Sequence, residues 1–272
     1  MENSSDFFYL TVDAGLIKFN SGNYDINFSI IRTDDYVPDT AFIQIHNINQ
    51  KDFSLLLNPL RELSLYMKLS DKLPLLLFNG NVLPSSVKGI SKYIKTNNNY
   101  SNDIRNSITA VDSLRFYSDM LDINYIEAVS ALTLIKDCAA SSGIKGVFFS
   151  KTIQDKVYSK FKALGSPCKI IKNICNALEE QFYICGNNLY VGDVPSINLL
   201  SPVLDLSNSS IPVRINGGAF RLITKFNSSI RPGGYVNTYF PSLLVGEFRV
   251  SQVYIYGNTS KNFIEMSLEI KV

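Results

Sequence analysis

Tryptophan is absent from the 272 residues, and histidine occurs once, at His46. One histidine removes most zinc arrangements and leaves a Ser-His-Asp triad only this residue as its base. His46 falls beside Asn47 on the polar face of an expected strand, where a surface or interface role fits better than catalysis. The four cysteines (Cys138, Cys168, Cys175, Cys185) contain no CxxC pair. Cys168 and Cys175 share one helical face with Ile171, so all four are read as reduced, small apolar residues rather than a metal or redox site. No GxGxxG and no GxxxxGK[ST] occurs, so nucleotide binding has no motif to rest on. No Lys/Arg run exceeds two residues and the formal net charge is +2, which argues against an extended nucleic-acid face. The strongest apolar run, Leu73 to Phe78, contains Pro74 and is far too short to span a bilayer. Met1 to Asp6 lacks the basic start and apolar centre of a signal peptide, so a soluble protein without stable membrane association is expected. Missing tryptophan also weighs against sugar stacking, despite 15 Tyr and 17 Phe. The acid pairs Asp34-Asp35 and Glu179-Glu180 fall in a polar loop and at a helix end, where solvated charges are ordinary. No catalytic, cofactor-binding or metal residue is assigned, and no enzyme is expected.

What the chain does contain is apolar periodicity. Hydrophobic residues make up 46% of it, and a chain of this length can bury roughly 70–75% of its unfolded surface. From Phe7 to about Ser91 short strands alternate with turns. Tyr24, Ile26, Phe28 and Ile30 share a face; Ala41, Ile43 and Ile45 repeat the pattern, then Leu63, Leu65, Met67 and Leu69, then Leu75 to Val82. Strands at this spacing favour a small barrel or sandwich. Gln50 to Leu57 reads as a short helix ended by Asn58-Pro59. Tyr93 to Asn106, with its Asn97-Asn98-Asn99, reads as a polar loop.

The texture changes after about Leu121. Asn124 with Glu127 three residues later resembles a capping box, predicting a helix through Ile126, Val129 and Leu132 to Gly143. Ser166-Pro167 predicts a second helix start, followed by the stripe Cys168, Ile171, Ile174, Cys175, Leu178. A hairpin, Phe182 to Cys185 and Leu189 to Val191, completes a compact α/β unit. Beyond a connector over 194–210, β texture resumes. Arg231-Pro232-Gly233-Gly234 suits a type II turn. The apolar phase slips between Phe248/Val250 and Val253/Ile255, which predicts a β-bulge near Ser251 and Gln252. Ile264, Met266, Leu268, Ile270 and Val272 then alternate with polar residues as a half-buried strand.

In this order the segments are familiar. Phe28-Ser-Ile-Ile-Arg32, the step Pro38-Asp-Thr-Ala41, and Phe42-Ile-Gln-Ile-His-Asn-Ile48 resemble the opening of phage baseplate hub proteins. Leu76-Leu-Phe-Asn-Gly-Asn-Val82 resembles their next strand. Ser166 to Val191 is similar to their helix and hairpin. Asn227 to Gly233, Gly246-Glu-Phe-Arg-Val250 and Tyr254 to Asn258 are similar to their closing domain. Asp39 and His46 depart from the family's commonest residues, and Tyr93 to Asn106 does not match it. The motif positions that the resemblance marks as structural are Pro38, Ala41, Asn47, Gly80, Pro232, Gly233, Gly246 and Gly257. It implies a β-rich α+β chain: two small antiparallel β-barrels flanking a central α/β unit with two amphipathic helices. The expected domains are 1–120 (a first β-barrel of tube-adaptor type), 121–195 (the α/β unit) and 196–272 (a second barrel). The implied role is a homotrimeric, pseudo-sixfold ring joining a hexameric tail tube to a trimeric central spike, beside other baseplate proteins. DNA would be cargo passing the channel, and the place the virion tail, assembled in the bacterial host cytoplasm. Spike hubs of contractile injection systems are related. A host- or carbohydrate-binding tail module and, less so, a cell-wall hydrolase are the alternatives.

Overall fold

The computed structural model describes residues 8–56, 61–69, 73–83, 87–96, 99–192, 201–215 and 218–271. The chain packs as two compact units, Met1–Ile31, Thr40–Asp112 and Tyr254–Met266 in one, Arg32–Asp39, Ser113–Val253 and Ser267–Val272 in the other. The architecture is β-rich and mostly antiparallel, with four helices among the described residues.

The first unit opens with β1 (Phe8–Asp13), β2 (Lys18–Asn20), β3 (Ile26–Thr33) and β4 (Thr40–His46). Next come α1 (Gln50–Leu56), β5 (Glu62–Leu69), β6 (Leu75–Val82), β7 (Lys88–Thr96) and β8 (Asn99–Val111). The strands pair in the order β2–β1–β5–β6–β8–β4–β3, with β7 also on β8. Phe8, Leu10 and Val12 alternate inward on β1, as do Ile26, Phe28 and Ile30 on β3 and Ala41, Ile43 and Ile45 on β4. Leu63, Leu65 and Met67 do the same on β5. On β6 both Leu77 and Phe78 are buried, because the register with β5 shifts between Leu65 and Tyr66 and accommodates an extra residue. Asn58-Pro59, the expected stop of α1, lies outside the described residues.

The loop expected over Tyr93 to Asn106 is instead a strand pair. Lys88 through Thr96 runs antiparallel to Asn99 through Ser107, and Arg105 to Val111 also pairs with β4. The polar run from Lys95 to Asp103 misleads, and so does Asn106. It stands at an inward position between Ile104 and Ile108, is buried, and donates its Nδ2 to the Ile45 carbonyl at 3.2 Å. A buried, hydrogen-bonded amide in an apolar row breaks the sequence pattern while leaving the strand intact.

The second unit contains α2 (Leu114–Ser118), β9 (Leu121–Tyr125), β10 (Val129–Ser130), α3 (Ala131–Ser141), β11 (Gly146–Phe149), β12 (Val157–Tyr158) and β13 (Phe161–Gly165). It continues with α4 (Pro167–Ala177), β14 (Phe182–Cys185), β15 (Asn188–Val191), β16 (Val203–Asp205), β17 (Val213–Arg214), β18 (Phe220–Lys225) and β19 (Tyr235–Phe240). Strands β20 (Leu244–Asn258) and β21 (Phe263–Lys271) have residues in both units. Most of the expected connector over 194–210 lies outside the described residues.

The helix expected from Asn124 begins later. Asn124 sits inside β9, opposite Lys162 of β13, with Leu121, Ile123 and Tyr125 turned toward the core. Pairing with β13 overrides the local capping match, and Ser130 caps α3 instead, its Oγ accepting the Thr133 N–H at 3.1 Å. The helix ends where the sequence predicts, with Gly143 at φ 81. Helix α4 starts as expected: the Ser166 Oγ accepts the Lys169 N–H at 3.3 Å and Pro167 opens the first turn. Its buried stripe of Ile170, Ile171, Ile174 and Cys175 packs with Leu134, Ile135 and Cys138 of α3 in one core. The hairpin β14–β15 joins that core, and β11 runs parallel to β15.

Candidate functional site

The residues first suspected of chemistry are held in structural contacts. His46 faces outward on β4, its Nε2 3.4 Å from Asn27 Nδ2. Asp34 accepts from Arg249 Nε at 3.1 Å and from Lys271 Nζ at 3.3 Å, a three-residue ion cluster 8% exposed at the carboxylate. Glu179 is the left-handed residue (φ 58) just past α4, and the Glu180 N–H returns to the Cys175 carbonyl at 2.9 Å, closing the helix end. The cysteines are free thiols. Burial pushes the Cys138 and Cys175 thiols up to about 12, far from a reactive thiolate. Among the described residues no group of three His, Cys, Asp or Glu side chains could hold a metal, and no helix is long and apolar enough to cross a membrane.

The eight motif positions have physical reasons of their own. Asn47 ends β4 at φ 58; its N–H donates to the Ile104 carbonyl at 2.8 Å and its Oδ1 accepts the Ile104 N–H at 3.1 Å. A short amide side chain thus adds one rung to the ladder in a conformation few residues tolerate. Ala41 is fully buried and paired with Ile30 and Ala110. A Cβ on Gly80 would stand 2.6 Å from the Val111 carbonyl oxygen, and one on Gly257 2.6 Å from the Phe28 ring. Both strands therefore approach a neighbour more closely than any side chain permits. Pro38 lies in the Arg32–Asp39 segment, half-buried, one residue before the buried Asp39 that pairs with Arg32 Nε at 3.4 Å. Gly246 adopts φ 140, opposite Thr238.

Pro232 and Gly233 build the expected turn: the Gly234 N–H donates to the Arg231 carbonyl at 3.1 Å, with Gly233 at φ 74. A Cβ on Gly233 would lie 2.4 Å from Tyr183 Cζ, so the turn backbone presses on that ring. Tyr183 stacks on Tyr190 (4.9 Å between centroids, 8° between planes), and Tyr190 on Phe148 (5.1 Å, 17°). Arg249 lies 5.7 Å from the Tyr183 centroid while it holds Asp34. Burial pushes the Tyr183 hydroxyl well above the ordinary phenol range and raises that of Tyr190, so both are neutral packing groups. The phase slip expected near Ser251 is present: Val250 and Ser251 are both buried, then Val253 and Ile255.

Sequence reasoning missed the tyrosine stack and the ion cluster. All four residues of β14 are buried, so no alternation marks Tyr183. Asp34 is 215 positions from Arg249, beyond any local pattern. It also missed how the β16 edge is finished. The Asn208 side chain donates to the Val203 carbonyl at 2.9 Å and accepts the Asp205 N–H at 3.1 Å, and the Ser209 N–H takes the Asp205 carbonyl at 2.9 Å. These bonds occupy the outward edge that a further strand would otherwise use.

Large apolar side chains remain exposed on several strands, Phe42, Leu164, Val213 and Ile223 among them, and two groups lie on neighbouring paired strands. On β16, β19 and β20 they are Val203, Tyr239 and Val245; on β1 and β6, Tyr9 and Leu76.

No protein-family model matches the sequence, and no curated protein matches it. Solved structures do match the fold. The 43 kDa tail protein of prophage MuSo2 from Shewanella oneidensis aligns at TM-score 0.67 and 8% identity, over 96% of this chain and 95% of that one. The tail protein from Neisseria meningitidis MC58 aligns at 0.64 and 12% identity, over 98% and 97%. An E. coli type VI secretion component, described as similar to bacteriophage T4 tail proteins gp27 and gp5, aligns at 0.56 and 9% identity, over 91% of this chain and 73% of that one. The chain has the fold of phage tail proteins and of this tail-like secretion component.

Proposed function

We propose that this protein is a baseplate hub of a phage tail: three copies form a ring that joins the hexameric tail tube to the trimeric central spike. The observation that carries the reading is the end-to-end match to two tail proteins, covering 95% and 97% of their chains. The similarity of the secretion component to gp27 and gp5 supports a spike partner. In this reading the segments 1–120 and 196–272 each form a small barrel around the α/β unit 121–195, and six barrels present pseudo-sixfold symmetry to the tube. Closure of the second barrel is supported by the bridge Ser209–Thr224, which brings the chain after β16 onto β18, at the far end of the order β16–β19–β20–β21–β18. The first barrel is completed by chain from the closing segment, since Tyr254–Met266 packs with it and the Phe8 N–H donates to Asn262 Oδ1 at 3.4 Å. The eight motif residues serve as framework, holding turns and close strand approaches. The work is symmetry adaptation without bond chemistry, in the virion tail, beside other baseplate proteins, with DNA passing the channel as cargo. Electron micrographs of the purified protein test this directly: threefold rings that capture tube and spike proteins are expected. A monomer that joins neither protein overturns the reading.

A further inference from the structure

The exposed apolar groups on β16–β19–β20 and on β1–β6 differ in charge as well as in place. On the outer face of β16–β19–β20, Val203, Asn237 and Glu247 form one row and Asp205, Tyr239 and Val245 the next. Val203, Tyr239 and Val245 are 58%, 62% and 58% exposed, well beyond the scattered singles that surfaces tolerate. Both charged residues of these rows are acids. Asp205 accepts the Ser207 N–H at 2.8 Å, and Glu247 accepts the Ser201 hydroxyl at 2.8 Å. The hydrogen bonds from Ser207 hold the Asp205 carboxyl below its usual range, so it stays ionised at neutral pH. Asn208 closes the β16 edge, so a partner must meet side chains here instead of adding a strand.

On the outer face of β1–β5–β6, Tyr9 pairs with Lys68, and Thr11 with Tyr66, which pairs with Leu76. Tyr9 and Leu76 are 55% and 48% exposed, and Lys68 is the charged residue among them. The first face is apolar with acids; the second is apolar with a cation at its Tyr9–Lys68 end, its acids Asp13 and Glu62 standing toward the other end of the same strands. Two different faces that fit each other generate a head-to-tail contact, which closes into a ring when the rotation permits.

We propose that the β16–β19–β20 face of one copy packs against the β1–β5–β6 face of the next, with Glu247 and Asp205 opposite Lys68 and Tyr239 and Val245 against Tyr9 and Leu76. This contact rests on the ring reading above and names the surfaces that build it. Charge pairs at an interface rim select the partner and register, while the apolar centre supplies most of the affinity.

Sedimentation velocity over a concentration series tests it. Glu247→Lys is expected to weaken assembly about tenfold, and adding Lys68→Glu in the same chain is expected to restore it. Tyr239→Asp is expected to weaken it about a hundredfold, as loss of a central anchor does. Circular dichroism separates misfolding from lost contact; should Tyr239→Asp misfold, the exposed Glu247 and Lys68 variants still decide. A trimer unmoved by Glu247→Lys, or further weakened by Lys68→Glu, overturns this contact and leaves the ring standing. A wild-type chain that stays monomeric at high micromolar concentration and joins neither tube nor spike protein overturns the ring and this contact together.

Discussion

At the scale of single residues, glycines separate into those that need only conformation and those that also need space. Gly15 has φ 76 with nothing within 4 Å of a built Cβ, whereas Gly233 has φ 74 and a Tyr183 ring at 2.4 Å. Gly15→Ala therefore carries left-handed strain alone, about 1 kcal/mol. Gly233→Ala adds a steric conflict inside a buried stack and should cost about 3 kcal/mol in total. Thermal melts are expected to show a drop several degrees larger for the second variant. If the ring is the cause, Tyr183→Leu combined with Gly233→Ala will be less destabilising than the two single effects added. Equal losses for Gly15→Ala and Gly233→Ala would show that Tyr183 does not matter. The turn itself was legible, because Pro232 and Gly233 restrict their own backbones. The ring beneath it was not, since nothing local in Phe182–Cys185 distinguishes Tyr183 from its neighbours.

At the scale of elements, legibility followed whether one local rule acted without competition. Helix α4 was readable because Ser166, Pro167 and the apolar stripe agree, and the structure satisfies all three. Helix α3 was misplaced at its start because Asn124 and Glu127 satisfy a capping pattern that the β9–β13 ladder overrides. Strand β8 was hidden by its polar start, Asn99 to Asp103, and by the buried Asn106. Asn208 belongs here too, as a side chain that acts like a strand. Asn208→Ala removes two bonds from the β16 edge and should destabilise by about 1–2 kcal/mol. It should also open the edge to other chains, so light scattering on mild heating is expected to rise earlier than in the wild type. Asn208→Asp can still accept from Asp205 but cannot donate to Val203, and is expected to fall between them. A melt and a scattering onset unchanged in Asn208→Ala would remove this residue from the account of the edge.

At the scale of the whole molecule, the sequence reads as three consecutive blocks, while packing divides it into two discontinuous units. The reason lies in the closing segment. Tyr254–Met266 packs with the N-terminal residues and Ser267–Val272 with the other unit, and β3 likewise changes unit after Ile31. Alternation in β21 predicts a half-buried strand correctly, but a period of two says nothing about which strands it will join. Each unit thus depends on chain distant in sequence or shared with the other. Two units connected by one linker can unfold separately; units that share strands β3, β20 and β21 lose part of their own sheet when either one opens. A single calorimetric transition is therefore expected, with van't Hoff and calorimetric enthalpies in agreement. A chain ending at Val253 would lack Tyr254–Met266 from one unit and Ser267–Val272 from the other, and with them the buried Met266, Leu268 and Ile270. Burying three such side chains contributes on the order of 5–8 kcal/mol, comparable to the whole stability of a typical domain. The truncated chain is expected to show no cooperative melt at all; a sharp transition surviving for either half would mean that shared strands do not couple the units.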